Sequence, residues 1–278
     1  KDIKAASDNK HVVIVGTGFI GMEVASALAD AGTTASITIV GRSRRVMSNI
    51  VSETVSHALI KLHEEKGVTF AFGAGVDKIT GEGSKVSGVK LSDGSTLAAE
   101  VVILGTGVAP RTELLNEVNA PDGVQVDEHL QLRDGVYALG DIAKATNQMG
   151  RMRIEHWRVA LQHGIVTAAA ILNQDDVNSL EERIPFFWTA QYGKSLRYSG
   201  HAATPDNNIL FGSPDTLDYI EYYFDDDGED TRASAASTLG RDKELVAFSE
   251  LLRRGHAPTR AQINAGFNLI EQAQALSR

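Results

Sequence analysis

The sequence predicts an α/β chain: a parallel-sheet unit carrying an antiparallel flap, a second, partial α/β unit, and a C-terminal α+β domain. Three observations predict it. An apolar run at Val12–Val15 is followed by a glycine turn and then by Ile20, Val24, Leu28 and Ala31 at helical spacing. From Val76 to Val101 the hydrophobic period drops to two. After Pro185, aromatic strand-like pieces dominate.

Taken in order, strand, tight turn and helix at the start are followed by a second apolar run, Ile37–Val40, where the return strand of a right-handed crossover belongs. A helix is predicted from about Ser52 to Lys66, with Ser52 as N-cap and Gly67 as its stop. Val68–Phe72 reads as a third strand. Asp93-Gly94 marks a hairpin turn within a three-stranded meander that feeds Val101–Leu104 back into the sheet. Two short strands are expected around Gln125–Ile142. A long helix is then expected over Glu155–Asn173, with Trp157, Leu161 and Ile165 on one side. The segments PFFWTAQYG, LRYSGH, NILFG and LDYIEYYFDDDG predict strands, and one or two helices close the chain around Lys243–Arg254 and Arg260–Leu276.

Composition excludes several classes of function. The chain has 278 residues, 42% hydrophobic and 23% charged, which suits about two globular domains and rules out disorder. Lys and Arg number 27 against 36 Asp and Glu, so the net charge of -9 argues against nucleic-acid or anionic-membrane partners. There is no Cys, hence no disulfide framework, thiolate zinc site, iron-sulfur cluster or redox dithiol held by this chain. No apolar stretch reaches the roughly 20 residues of a membrane span. The chain starts at Lys1 rather than Met, which suggests a processed, trimmed or engineered piece.

The sharpest chemical signal is Gly16-Thr17-Gly18-Phe19-Ile20-Gly21, placed between a strand and a helix as a dinucleotide-binding turn requires. Gly16 allows the tight bend, Gly18 leaves room for a diphosphate, and Gly21 lets helix and strand approach. The helix N-terminus presents amides and a positive dipole end to the phosphates. An acidic residue at the end of the second strand would accept hydrogen bonds from the adenosine ribose, but Gly41, Arg42, Ser43, Arg44 and Arg45 stand there. Guanidinium groups suit a 2′-phosphate, so the coenzyme expected is NADPH rather than NADH; a solvated basic loop is the alternative. Further on, ILGTGVAP includes Gly105 and Gly107, and VYALGDIA ends a strand in Gly140-Asp141, where a carboxylate can meet sugar hydroxyls.

Together, GTGFIGMEVASAL, ILGTGVAP, VYALGDIA, IEHWRVALQHG and PFFWTAQYGKSLRYSG resemble, in that order, the FAD-dependent pyridine nucleotide oxidoreductases of the ferredoxin and rubredoxin reductase type. The chain looks most similar to their apoptosis-inducing-factor-like branch. The resemblance runs from His11 to about Arg254 and implies a Rossmann-like NAD(P) domain at 11–104 inserted into an FAD-binding domain. It further implies that the FAD-binding domain returns at 105–180 and that a C-terminal domain occupies 184–278. It implies that Asp141 meets the flavin ribityl and diphosphate, that Glu155, His156 and Trp157 lie by the flavin ring, and that Glu23 sits near the nicotinamide; Trp157 and Trp188 read either as flavin-stacking groups or as core aromatics.

One departure matters. The family's FAD-type glycine turn, and the Lys that would pair with Glu23, belong to an N-terminal half that this sequence lacks. A companion segment from another chain, a longer intact protein, or weak flavin binding are the alternatives. With no dithiol to receive electrons, the acceptor implied is an iron-sulfur protein, a quinone or an artificial acceptor. A non-catalytic NAD(P)H-binding module is the rival reading. The family suggests a cytoplasmic or mitochondrial home. His57 and His63 do not share a helix face and are poor metal ligands. Asp225–Asp230 reads as a solvated hairpin tip rather than a calcium loop.

Overall fold

The computed structural model describes residues 2–115, 120–173, 180 and 183–276. A short helix α1 (Asp2–Ser7) precedes β1 (His11–Val15), α2 (Phe19–Ala31), β2 (Ser36–Gly41), α3 (Glu53–Glu64) and β3 (Val68–Phe72). The flap strands β4 (Val76–Glu82), β5 (Lys85–Leu91) and β6 (Thr96–Ala98) follow, and β7 (Val101–Leu104) returns to the first sheet. That sheet has the order β3-β2-β1-β7, with parallel pairing throughout. The flap is a separate antiparallel sheet of order β4-β5-β6.

Why β1 reads as an unbroken apolar run is now clear: both of its faces are covered, as in parallel sheets generally. Val12 and Ile14 join Ile37 and Ile39 in a core with Met22 and Leu28 of α2 and Val55 and Leu59 of α3. Val13, Val15 and Val40 instead pack with Val89 and Leu91 of the flap. The flap thus covers the face that α2 and α3 leave open. Ser52 caps α3 by accepting a hydrogen bond from the Val55 amide at 3.3 Å.

The central segment forms β8 (Val124–Gln125), β9 (Gln131–Arg133), β10 (Val136–Tyr137), β11 (Ala143–Asn147), β12 (Gly150–Met152) and α4 (Trp157–Ile171). This corrects the sequence expectation of two strands around Gln125–Ile142. Three strands of two or three residues lie there, too short to show a period, and the β11–β12 hairpin comes after them. The helix also starts later than expected: His156 is its N-cap, so Glu155 and His156 precede it. Trp157, Leu161 and Ile165 do share one side, but it faces outward, with each more than half exposed. Val159, His163, Val166 and Ala169 form the buried side.

The C-terminal domain is built from β13 (Phe186–Gln191), β14 (Lys194–Gly200), β15 (Asn208–Ser213), β16 (Asp218–Tyr223) and β17 (Ala235–Leu239), then α5 (Asp242–Arg253), α6 (Arg260–Asn264) and α7 (Leu269–Leu276). Its sheet is antiparallel, ordered β13-β14-β17-β16-β15. Sequence reading missed β17, because AASTL has a single β-branched residue, Thr238, and no aromatic one to mark a strand. Its small side chains suit a central position with both faces buried. Along β16 the alternation divides the domain's contacts. Ile220 and Tyr222 pack with Leu245 and Phe248 of α5, while Tyr219, with Leu196 and Leu239, joins the core of the first unit. Asp226 lies in the β16–β17 connection and accepts hydrogen bonds from the Gly228 amide and the Thr231 hydroxyl. Among the described residues no cluster of His, Asp and Glu is arranged to hold a metal ion, and no helix is long and apolar enough to cross a membrane.

Candidate functional site

Three backbone segments meet at the glycine turn. The Gly16 amide bonds the Val40 carbonyl at 2.9 Å and the Gly105 amide bonds the Val15 carbonyl at 2.8 Å, which ties the turn to both neighbouring strands. Gly16 has φ +112°, and a Cβ there would stand 2.2 Å from the Gly105 carbonyl oxygen. A Cβ on Gly21 would stand 2.0 Å from the Gly16 oxygen. Neither position can accept a side chain without displacing main chain. Gly18 is different: nothing lies within 4 Å of the place its Cβ would occupy. It caps α2 without a side-chain bond. The first helical bond runs from Met22 to the Gly18 carbonyl at 3.1 Å, so the Phe19, Ile20 and Gly21 amides ahead of it have no acceptor within the helix. Open space, free amides and the positive end of a helix dipole are what a diphosphate needs.

Around this turn the sequence-selected residues separate into groups. Ile20 is exposed, whereas the Phe19 ring packs edge-on against Phe187 of β13, 5.0 Å between centroids. Glu23 is exposed, and its carboxylate accepts a 2.7 Å hydrogen bond from the Thr189 hydroxyl. Arg42 and Arg44 are exposed at the end of β2. Arg45 is held elsewhere: its guanidinium pairs with Asp206 at 2.8 Å and donates to the Val51 carbonyl at 2.9 Å. Gly105 packs against the turn, while Gly107, at φ +85°, borders open space.

Gly140 and Asp141 form a single turn of 3-10 helix after Leu139. The Gly140 amide donates to His163 Nδ1 at 3.1 Å. His163 is buried in α4, and burial pushes its pKa down to about 4, so the ring is neutral and its Nδ1 free to accept. The Asp141 carboxylate is exposed, and its carbonyl accepts from Arg153, which also pairs with Glu155 at 2.5 Å. His156 accepts from the Arg158 amide as the cap of α4, and its ring lies 5.9 Å from Phe187. Trp157 and Trp188, both exposed, meet edge to face at 6.0 Å.

Sequence reading did not single out Thr189, His163 or Asp206. Each acts through a partner far away in sequence, so spacing carried no signal for them.

These features converge on one family. Residues 1–164 match the family described as pyridine nucleotide-disulphide oxidoreductase, and residues 186–270 match the reductase C-terminal family. The chain belongs to the pyridine nucleotide-disulphide oxidoreductase family. It is 29% identical to apoptosis-inducing factor 3 of Homo sapiens over 91% of its own length and 42% of that protein. It is 31% identical to rhodocoxin reductase of Rhodococcus erythropolis, covering 87% of this chain and 56% of that one. The crystal structure of the ferredoxin reductase for the CYP199A2 system from Rhodopseudomonas palustris superposes with a TM-score of 0.84 at 27% identity, covering 95% of this chain and 65% of that one. The chain thus spans between about two fifths and two thirds of the length of these relatives. The α/β architecture with its C-terminal antiparallel sheet is that of the reductases. Although the family is named for disulphides, this member has no cysteine.

Proposed function

We propose that this chain is the nicotinamide-binding and C-terminal part of an FAD-dependent NAD(P)H oxidoreductase that passes electrons to an iron-sulfur protein, a quinone or a similar acceptor. Residues 11–104 then form the NAD(P) domain, 105–180 the returning part of the FAD-binding domain, and 184–278 the C-terminal domain. The observation that carries the reading is the open space over Gly18 beside three amides without helical acceptors. Gly16, Gly18 and Gly21 shape the diphosphate cradle, and Arg42 and Arg44 face the adenosine end.

The residues of the second half also fit a flavin. Asp141 offers an exposed carboxylate, Gly140 has no side chain to block approach, and the exposed Trp157–Trp188 pair supplies aromatic surface. FAD, when bound, supplies a ring that accepts hydride from the nicotinamide and hands electrons on. The chain's own part is to bind, orient and exclude water. Glu23, fixed by Thr189, stands at the nicotinamide side, and His163 holds the Gly140–Asp141 turn in place. The remaining flavin contacts come from a companion FAD-binding segment. Rhodocoxin reductase and the Rhodopseudomonas enzyme are reductases by name, which supports electron transfer as the activity.

The test is to mix the purified chain with FAD, remove free flavin, and add NADPH without oxygen. Retained yellow colour that bleaches on NADPH supports the oxidoreductase. Colourless protein that still binds NADPH supports a non-catalytic binding module instead.

A further inference from the structure

The Gly140–Asp141 turn is held from two sides. The Asp141 carbonyl accepts from Arg153 at 3.1 Å, and the Gly140 amide donates to His163 Nδ1 at 3.1 Å. Gly140 has φ +74°, where a glycine is free to swing its peptide, so the bond to His163 is what fixes that end. With both main-chain groups taken, the carboxylate is the part of Asp141 left to meet a ligand.

The bond to Gly140 demands one tautomer of the histidine. His163 is buried and its ring is neutral, so an accepting Nδ1 carries no hydrogen and the single ring hydrogen sits on Nε2. If that hydrogen moved to Nδ1, two donors would face each other and the bond would be lost.

His163 lines a cavity of about 20 Å³, together with Asn147 and Met152 of the β11–β12 hairpin, Gln162 of α4, and Leu180 and Arg183 ahead of β13. Arg183 Nε is buried and has no hydrogen-bond partner among the described residues. Two N–H donors thus belong to the wall of one small space, and two donors cannot serve each other. About 10–15 Å³ of such space is enough for one water. A water accepts two hydrogen bonds and donates two, and Asn147 and Gln162 bring side-chain oxygens to the same wall.

We infer that this cavity is a site for one water molecule, which accepts from Arg183 Nε–H and His163 Nε2–H, and that His163, locked in this tautomer, is a positioning residue for the Gly140–Asp141 turn. What the turn then does rests on the reading that Asp141 meets a flavin; the water and the tautomer do not.

The whole chain, isotope-labelled, is studied by NMR, and its affinity for FAD is measured by titration. In wild type His163 should carry its hydrogen on Nε2, that hydrogen should show cross-relaxation with a slowly exchanging water, and the Gly140 amide should be protected from exchange. Arg183→Met removes an unpartnered donor, so the fold should persist while the His163 hydrogen divides between both nitrogens and Gly140 exchanges about five- to tenfold faster. FAD should bind about five- to tenfold more weakly to Arg183→Met and to His163→Leu, whereas His163→Gln, whose side-chain oxygen can accept from Gly140, should stay within about threefold of wild type. The proposal is overturned by a His163 hydrogen on Nδ1, by a cavity that is dry or holds an anion, by unchanged Gly140 exchange in Arg183→Met, or by His163→Gln behaving as His163→Leu does. The expected NMR result with no FAD binding to wild type brings down the flavin reading instead and leaves the water site standing.

Discussion

The Thr189 hydroxyl of β13 donates a 2.7 Å hydrogen bond to the Glu23 carboxylate of α2, joining residues 166 apart in sequence. Thr189 is buried and also accepts from Gln191 Nε2 at 3.2 Å, so one hydroxyl serves two partners. Beside it, the Tyr192 amide donates to Ser26 of the same helix at 2.8 Å. The C-terminal sheet therefore fixes the helix that opens at the glycine turn, and the carboxylate on that helix is oriented before any coenzyme arrives.

Replacing Thr189 by Val keeps the shape and deletes both hydrogen bonds. Removal of a buried hydroxyl bridge should cost about 1 to 2 kcal/mol of unfolding free energy. Thr189→Ser should recover most of it. Urea titration checks the pair, and a Thr189→Val variant as stable as wild type, or one that loses less than Thr189→Ser, would show that the methyl, not the hydroxyl, matters.

His163 predicts a loss of stability on the acid side. Its pKa falls from an ordinary 6.5 to about 4 because it is buried. The unfolded chain therefore takes up the proton first as the pH falls. The contribution of neutral His163 is full above about pH 6.5, shrinks down to about pH 4, and is level below that. Between pH 7 and pH 5, wild type should lose about 2 kcal/mol more than His163→Asn, as read from urea titrations at both pH values. Parallel losses would contradict the assignment.

Glu221 predicts the opposite dependence. It is fully buried on β16, accepts a hydrogen bond from the Tyr223 hydroxyl at 2.5 Å, and faces Ser52, the cap of α3. Burial raises its pKa, while the nearby Ser52 and the hydrogen bond from Tyr223 oppose the rise. A folded pKa above the unfolded one means that its contribution is whole below the unfolded value and is lost as the pH climbs through the folded value. Glu221→Gln should therefore gain stability relative to wild type on going from about pH 5 to about pH 8. Thermal melts of both proteins across that range test this, and a constant difference would refute it.

How much of this was legible in the sequence follows from how far each signal reaches. The strand–turn–helix unit, the flap and the cap of α3 are local patterns of period and turn chemistry, and the structure has them where the sequence put them. Two short strands were legible around Gln125–Ile142 but not the third, because strands of two or three residues carry no period, and β17, written mostly in Ala, Ser and Thr, escaped altogether. The Trp157–Leu161–Ile165 stripe has helical spacing, yet spacing gives a face and not which way the face points. Arg45 looked like Arg42 because Asp206, its partner, lies 161 residues away. The glycine turn was readable because each glycine answers a nearby backbone demand, which a Cβ at Gly16 or Gly21 would violate.

The central claim is that this turn grips the diphosphate of a nicotinamide coenzyme, and Gly18→Val tests it most directly. Gly18 has φ −82° and ψ −171°, open to any residue, and its Cβ position borders only empty space, so the variant should fold like wild type. Calorimetric titration with NADPH should give saturable, one-to-one binding to wild type and none, or at least about a hundredfold weaker binding, to Gly18→Val at an unchanged melting temperature. Equal affinity in the two proteins, or no saturation in folded wild type, would contradict the account.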